Sequence, residues 1–242
     1  MFQEHRVSVI VPAYNEEETI GGVVQGYKAQ PLVDEVVVVD NNCRDRTAAI
    51  AAEGGARVVT ESRAGYGAAL LRGMSEAEGD ILVLTEADGS FLPKDLVKLL
   101  VYLEDAGMVV GTRTTRQMVH QGANMRSLLR WGNVFMAKYL ELLWFMKWEP
   151  RFTDVGCTYR ALWRRTFEGI REHLLSAGPA FSPEMMCEVL MKGFRCIEVP
   201  VSYHPRLGGD SKHSAGLLHQ ARTAWAMWKI ITRKKLFGSG AE

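Results

Sequence analysis

Five apolar runs of strand length, at residues 7–11, 35–39, 56–59, 81–84 and 108–110, alternate with helical patterns at 17–29, 45–53, 65–78 and 93–105. Strands that alternate with helices build a mostly parallel sheet with both faces covered, and the apolar run at 81–84 reads as a buried strand. Pro93 sits where the first turn of a helix accepts proline. In such sheets ligands bind beyond the carboxyl ends of the strands. Residues 12–16, 40–45 and 86–90 all lie just past a strand end, so a single crevice is expected to collect them.

The third of these segments is the most informative. Glu86 and Asp88 leave the sheet edge two residues apart, where hard cations and phosphates are commonly held, and this suggests a nucleoside-diphosphate site. Asp and Gly also favour turns, so a plain strand-to-turn junction is the competing explanation. In the first segment Tyr14 offers a ring to stack on a base, and Glu16 a carboxylate to accept from a base or ribose. The same residues make a helix-capping turn with Asn15 as N-cap and Glu18 three positions on. Asp40-Asn41-Asn42 stands where an acid would meet a base or ribose, and the residues that follow, 44–47, equally suit a helix start.

Beyond Gly111 the rhythm changes. Residues 126–148 read as a helix rich in large apolar side chains, 153–160 as a loop and short strand, and 182–192 as a helix. A strand at 196–201, a glycine-bearing loop at 205–214 and a final helix at 217–235 follow. Neither a repeat nor a flexible linker interrupts the 242 residues, and one continuous domain is expected: a nucleotide half at 1–112, an acceptor half at 113–215 and an amphipathic basic helix at 216–242.

Charge divides along the same lines. Residues 1–112 hold 9 Lys and Arg against 18 Asp and Glu, residues 113–165 hold 10 against 3, and residues from 203 onward hold 7 against 2. An acidic front and a basic back suit a cation or nucleotide at one site and a second anion nearby. The 4 cysteines form no CxxC pair and the N-terminus does not resemble a signal peptide, which reads as reduced thiols in a cytoplasmic protein. No nucleic-acid partner is expected. The nearest approach to a membrane span, 134–148, carries Lys138, Glu141 and Lys147, so it suits lying on a membrane better than crossing one.

Taken together, Val11-Pro12-Ala13-Tyr14-Asn15-Glu16, Asp40-Asn41-Asn42 with Asp45 and Thr47, Arg63-Ala64-Gly65-Tyr66-Gly67-Ala68-Ala69, Glu86-Ala87-Asp88 and Gly111-Thr112-Arg113 fall in one register. They continue with Asp154-Val155-Gly156-Cys157-Thr158-Tyr159-Arg160 and Arg206-Leu207-Gly208-Gly209-Asp210-Ser211-Lys212. In this order they resemble the family 2 glycosyltransferases of GT-A fold, and within them the polyprenyl-phosphate sugar synthases typified by dolichyl-phosphate mannose synthases. The resemblance spans residues 7–215. It implies an α/β, Rossmann-like, mostly parallel sheet with helices on both faces and C-terminal helices on the acceptor side. It also implies an inverting, metal-dependent transfer from GDP-mannose or a UDP-sugar to a polyprenyl or dolichyl phosphate at the cytoplasmic membrane face.

The resemblance assigns roles. Pro12, Tyr14, Glu16, Asp40, Asn42, Arg63, Gly67, Glu86 and Asp88 fall on the donor side, with Asp88, Glu86 and Ser90 toward Mg²⁺ or Mn²⁺. Glu86 departs from the family's usual Asp-x-Asp, and its extra methylene leaves three options: direct ligation, ligation through water, or a contact to ribose. Arg113, Arg126, Arg130, Arg206, Ser211 and Lys212 are expected on the acceptor phosphate, although Arg130 stands where the family tends to carry serine. Asp88, Arg113 and Asp154 are the expected catalytic group.

A phosphate acceptor, with its second pKa near ~6, is already an anion at neutral pH and needs no strong base. A hydroxyl acceptor would need one, and Asp154 is the obvious candidate. A hydroxyl-specific relative and an idle nucleotide-sugar-binding relative are the competing functions, whereas a nucleotidyltransferase would begin with a glycine-rich basic loop that residues 12–16 lack. Large apolar and cationic residues mix at 135–148 and again from 217 onward, which suits a peripheral membrane surface or packing within the protein's own core, and leaves room for a homodimer or a membrane subunit.

Overall fold

The computed structural model describes residues 1–123, 127–208 and 217–238. Its front half alternates β1 (Val7–Ala13), α1 (Ile20–Lys28), β2 (Glu35–Asp40), α2 (Thr47–Glu53), β3 (Arg57–Thr60), α3 (Tyr66–Glu76), β4 (Ile81–Leu84), α4 (Leu96–Leu103) and β5 (Met108–Thr112). The back half adds α5 (Ser127–Trp148), β6 (Arg160–Trp163), α6 (Arg164–Ile170), α7 (Phe181–Met191), β7 (Cys196–Pro200) and α8 (Leu217–Phe237).

The expected α/β architecture is present. One sheet runs β3-β2-β1-β4-β6-β5-β7, parallel except for β6, which lies antiparallel between β4 and β5. Both halves of the chain therefore share one sheet. Ile81–Leu84 are wholly buried, and helices α1 and α4 press Ile20, Val24, Tyr27, Leu99, Leu100 and Leu103 into the same core. Register positions the site: Ala13 pairs with Asp40 and Ile10 with Leu84, so the loops after β1, β2 and β4 leave one edge of the sheet together.

Local readings depart from this structure at several points. Asn15 does not cap a helix. It takes a left-handed conformation with φ 54°, its Oδ1 accepts from Arg44 N at 2.8 Å, and α1 begins only at Ile20. Pro93 opens a short 3-10 turn at Pro93–Asp95 ahead of α4. The strand sought at 153–160 starts at Arg160, and α6 was not legible at all.

The back half is tied to itself through α7, which is buried along most of its length. Lys234 of α8 is 1% exposed and reaches Glu188 Oε1 at 2.6 Å, Glu184 Oε1 at 3.3 Å and the His173 carbonyl at 2.6 Å. Glu184 in turn accepts the amides of Leu175 and Ser176, so the terminal helix is anchored to the segment that packs on α3.

Candidate active site

At the edge where the loops converge lies a cavity of about 1150 Å³. One part of its lining is made by Pro12 at the end of β1, Tyr14 and Glu16 after it, Asn41 and Asn42 after β2, and Gly65 and Tyr66 at the start of α3. Asn41 organises this part. Its Nδ2 donates to the carbonyls of Glu61 and Arg63, both at 2.9 Å, and its Oδ1 accepts from Gly65 N at 2.8 Å. Asn42 has φ 68° and donates to the carbonyls of Glu61 and Ser62.

Three residues expected on the donor side stand off the wall. Asp40 turns back to accept Cys43 N at 2.8 Å, and Arg63 is exposed at the surface. Gly67 is buried against the segment before α7. Its amide donates to Ala177 O at 2.6 Å, and a Cβ there would lie 2.2 Å from Ser176 O. Glycine at 67 thus serves close packing of two chain segments. The residue missing from the expected donor side is Asn41: it lies inside the Asp-Asn-Asn triplet, but only the tertiary structure brings Asn41 and Asn42 to the cavity and leaves Asp40 off it.

The middle of the cavity holds the acidic pair. Tyr66 Oη donates to Thr158 Oγ1 at 2.7 Å, and Thr158 Oγ1 donates to Glu86 Oε1 at 2.6 Å. Burial, reinforced by the charge of Asp88 and opposed by Arg113, pushes the Glu86 carboxyl up to about 7. Asp88 is buried. Its Oδ1 accepts from Ser90 N at 2.9 Å, while Oδ2 lies 3.0 Å from Arg206 Nε, an ion pair whose two atoms are not aligned as a hydrogen bond. Ser90 is buried with its hydroxyl unpaired, and it is not among the lining residues.

Two arginines face the pair. Arg113, at the end of β5, is held by Asp154 in a fork, with Nε to Oδ2 at 2.8 Å and Nη2 to Oδ1 at 3.0 Å. Burial alone would lower the Arg113 pKa, but the adjacent Asp154 outweighs it and keeps the guanidinium firmly charged. Arg113 also sits 5.3 Å over the Tyr203 ring. Asp154 is 0% exposed, with Arg113 and Gly156 N on its oxygens, so it lies behind the guanidinium rather than on the cavity wall. The carboxylate is thus engaged on both oxygens by Arg113 and by Gly156 N.

Arg206 reaches the cavity from the distal loop, which is stitched to the acidic loop by Leu207 N to Asp88 O at 3.0 Å and His204 N to Ser90 O at 2.9 Å. Arg130 lies away from the wall, 5.9 Å over the Trp131 ring. Arg126, Ser211 and Lys212 fall outside the described residues. Toward its far end the cavity passes between α5 and α8, where Met136, Ala221, Ala224 and Met227 line it.

The residues present fit a divalent cation. Glu86 and Asp88 both line the cavity, Glu86 feels the charge of Asp88, and Asp88 keeps one buried oxygen without an aligned donor. An all-oxygen set of this kind suits Mg²⁺ or Mn²⁺. Among the described residues no group of three or more His, Cys, Asp or Glu side chains stands ready as a metal cage. Two carboxylates that leave the remaining positions to phosphate and water are the usual arrangement for such ions.

Comparisons with known proteins agree on one family. The model of glycosyl transferase family 2 matches residues 8–169. An uncharacterised glycosyltransferase of Mycobacterium tuberculosis is 33% identical over 231 residues, covering 93% of this chain and 98% of that protein. An undecaprenyl-phosphate mannosyltransferase of Micrococcus luteus is 29% identical over 241 residues, covering 94% of this chain and 96% of that one. The crystal structure of glucosyl-3-phosphoglycerate synthase from Mycobacterium tuberculosis, in complex with Mn²⁺, UDP-glucose and phosphoglyceric acid, superimposes with a TM-score of 0.72. That match is 20% identical and covers 96% of this chain and 80% of that one, a likeness of fold.

Proposed function

The chain belongs to glycosyl transferase family 2, and from that premise we propose that it moves a sugar from a nucleoside-diphosphate donor to a polyprenyl phosphate at a membrane surface, with inversion at the anomeric carbon. The observation that carries the acceptor is the course of the cavity. Its lining joins polar groups at Tyr14 and Asn41, the charged Glu86, Asp88, Arg113 and Arg206, and a stretch between two helices where Met136, Ala221, Ala224 and Met227 stand with Asn133, Gln220 and Thr223. A ligand with an anionic head and an apolar tail matches that sequence of surfaces. The likeness to a mannosyltransferase named for undecaprenyl phosphate supports the same acceptor.

In this reading Tyr14 and Asn42 meet the nucleoside, and Asp88 with Glu86 hold Mg²⁺ or Mn²⁺ on the diphosphate. An ion held there would supply positive charge against what builds on the leaving oxygen. Arg113, fixed by Asp154, presents a planar fork to phosphate, and Arg206 adds a second cation. The acceptor phosphate attacks already ionised, so the site needs no base, in keeping with the burial of Asp154.

The outer faces of α5 and α8 support a peripheral membrane position. Their inner faces are used within the protein, with Leu140 and Trp144 buried and Tyr139 Oη 2.8 Å from Thr232 Oγ1. Outward they expose Phe135 (68%), Leu142 (73%) and Trp225 (63%), and the same helices carry the cations Lys147 and Lys235. Trp and cations on one amphipathic surface suit the headgroup zone. Among the described residues no helix is long and apolar enough to cross a membrane.

The test is transfer from labelled GDP-mannose and UDP-glucose, with Mn²⁺, to undecaprenyl phosphate or to hydroxyl acceptors such as phosphoglyceric acid. Product on undecaprenyl phosphate is the expected result. Product on hydroxyl acceptors alone would overturn the reading. Metal-dependent binding of UDP or GDP with no turnover of any donor would mark an idle relative instead.

A further inference from the structure

Behind Arg113 lies a part-buried polar cluster that the transfer reaction does not itself require. Thr112 and Thr114 flank Arg113, and Thr153 precedes Asp154. Their hydroxyls converge, with Thr112 and Thr114 at 2.8 Å, Thr112 and Thr153 at 2.9 Å, and Thr114 and Thr153 at 2.6 Å. The cluster ends on Glu198 of β7. Thr153 Oγ1 donates to Glu198 Oε1 at 2.6 Å, and the amides of Thr153 and Asp154 donate to Glu198 Oε2 at 2.7 and 2.9 Å.

An ionised carboxylate only accepts, whereas each hydroxyl has a single proton to give. Thr153 commits its proton to Glu198, so its oxygen is left to accept from its threonine neighbours. One side chain therefore sets the polarity of the whole cluster and grips both sides of the Arg113–Asp154 pair: the residues before and after the arginine through hydroxyls, and the backbone of the aspartate directly. We propose that Glu198 is a positioning residue for the transfer, holding Arg113 in its cavity-facing orientation through Thr153 and the Asp154 amide.

The proposal deepens the reading of Arg113 as a phosphate-binding group and rests on it. Amide for carboxylate at 198 is the sharp change, because a glutamine whose oxygen takes the two backbone amides presents an NH₂ to Thr153 Oγ1, which now donates there. Burial pushes the Glu198 carboxyl up to about 7, with Asp154 adding to the rise. The titratable groups that face it are Asp154, through it the charged Arg113, and Cys196, whose thiol burial pushes up to about 12 and keeps neutral.

The Arg113 Nε–H is hydrogen-bonded to Asp154 and gives a resonance in ¹⁵N–¹H spectra, assigned by its loss in Arg113→Lys. In the wild-type protein this signal is expected to exchange slowly and to shift with a midpoint near pH 7. In Glu198→Gln it should be displaced and lose the part of that titration that Glu198 contributes, keeping the part from Glu86, whose carboxyl also lies near 7 and feels Arg113, and Thr153→Ser should keep it while Thr153→Ala displaces it. With GDP-mannose and undecaprenyl phosphate, Glu198→Gln should lower kcat by about tenfold with the donor KM within about twofold, the pattern of a misplaced group. A Glu198→Gln protein whose Arg113 signal and pH course match wild type overturns the proposal. Should that variant not fold, an unmoved signal in Thr153→Ala does so. The resonance is read without substrate, so failure to use undecaprenyl phosphate overturns the acceptor reading and leaves this test standing.

Discussion

Arg206 Nε rests 3.0 Å from Asp88 Oδ2, so a cation from the distal loop already sits on the carboxylate best placed to hold a divalent ion. The two loops are joined around this contact by Leu207 N to Asp88 O, and Leu207 lies over Gly89, where φ is 73° and a Cβ would meet its Cδ1 at 2.6 Å. A metal bound at Asp88 must therefore share or displace the guanidinium. Asp88→Asn should abolish the metal-dependent part of UDP or GDP binding, and Arg206→Gln should tighten Mn²⁺ binding by about twofold to fivefold, the worth of one ion pair. Calorimetry with Mn²⁺ checks both, and unchanged affinity in Asp88→Asn would remove Asp88 as a ligand.

Gly67→Ala sets a Cβ 2.2 Å from Ser176 O and 2.8 Å from the Phe181 ring, and the first of these is backbone that cannot swing aside. The cost should be about 1–3 kcal/mol, the usual penalty for overpacking. Gly132 on α5 has nothing within 4 Å of a built Cβ, so Gly132→Ala should leave stability unchanged or raised. Thermal unfolding of the two variants side by side makes the comparison, and equal midpoints would contradict it.

Lys234→Met would strand Glu184 and Glu188, both fully buried, without their shared cation. Removing one partner of a buried ion pair costs about 3–5 kcal/mol. Chemical denaturation should show a loss of that order, and hydrogen exchange should show α8 opening first. A midpoint within error of wild type would refute the anchor.

The raised pKa of Glu198 has a thermodynamic sign. The unfolded carboxyl ionises near its ordinary value of 4.5, whereas the folded one holds its proton until about 7. Between these values the folded state binds more protons, so this group's contribution to stability falls as pH rises and levels off above 7. Glu86 is also raised to about 7 and acts with the same sign, but it remains in a Glu198 variant. Relative to wild type, Glu198→Gln should gain stability between pH 5 and pH 8. A melting-temperature difference that does not move with pH would contradict the shift.

Trp225 and Trp228 stack at 4.8 Å on the outer side of α8, and Trp225 is largely exposed. Replacing both with alanine should weaken sedimentation with anionic phosphatidylglycerol vesicles by about tenfold or more, since each large aromatic contributes on the order of 1.5–3 kcal/mol when buried in an apolar layer. Binding that is unaffected by the double change would move the membrane contact elsewhere.

Much of this fold can be read from local pattern, and the reason is physical. A run such as Ile81–Leu84 is buried on both faces whichever neighbours it finds, and a polar segment directly after it emerges at the sheet edge, so the place of Glu86 and Asp88 follows from four apolar residues. The insertion of β6 between β4 and β5 does not follow, because four residues carry no signal of strand direction. Nor does the choice of Asn41 over Asp40, which only the tertiary structure makes.

The amino-acid order alone determined the alternating elements, the common edge where the loops gather, and the acids and arginines that stand ready along the chain. Only the tertiary structure decided which of them meet: Asp154 behind Arg113 across 41 positions, Arg206 on Asp88, and Glu198 beneath three threonines. Element type is a property of neighbouring residues and their periodicity. A pairing between residues far apart in the chain depends on strand register and helix packing, which are settled by the burial of the whole core.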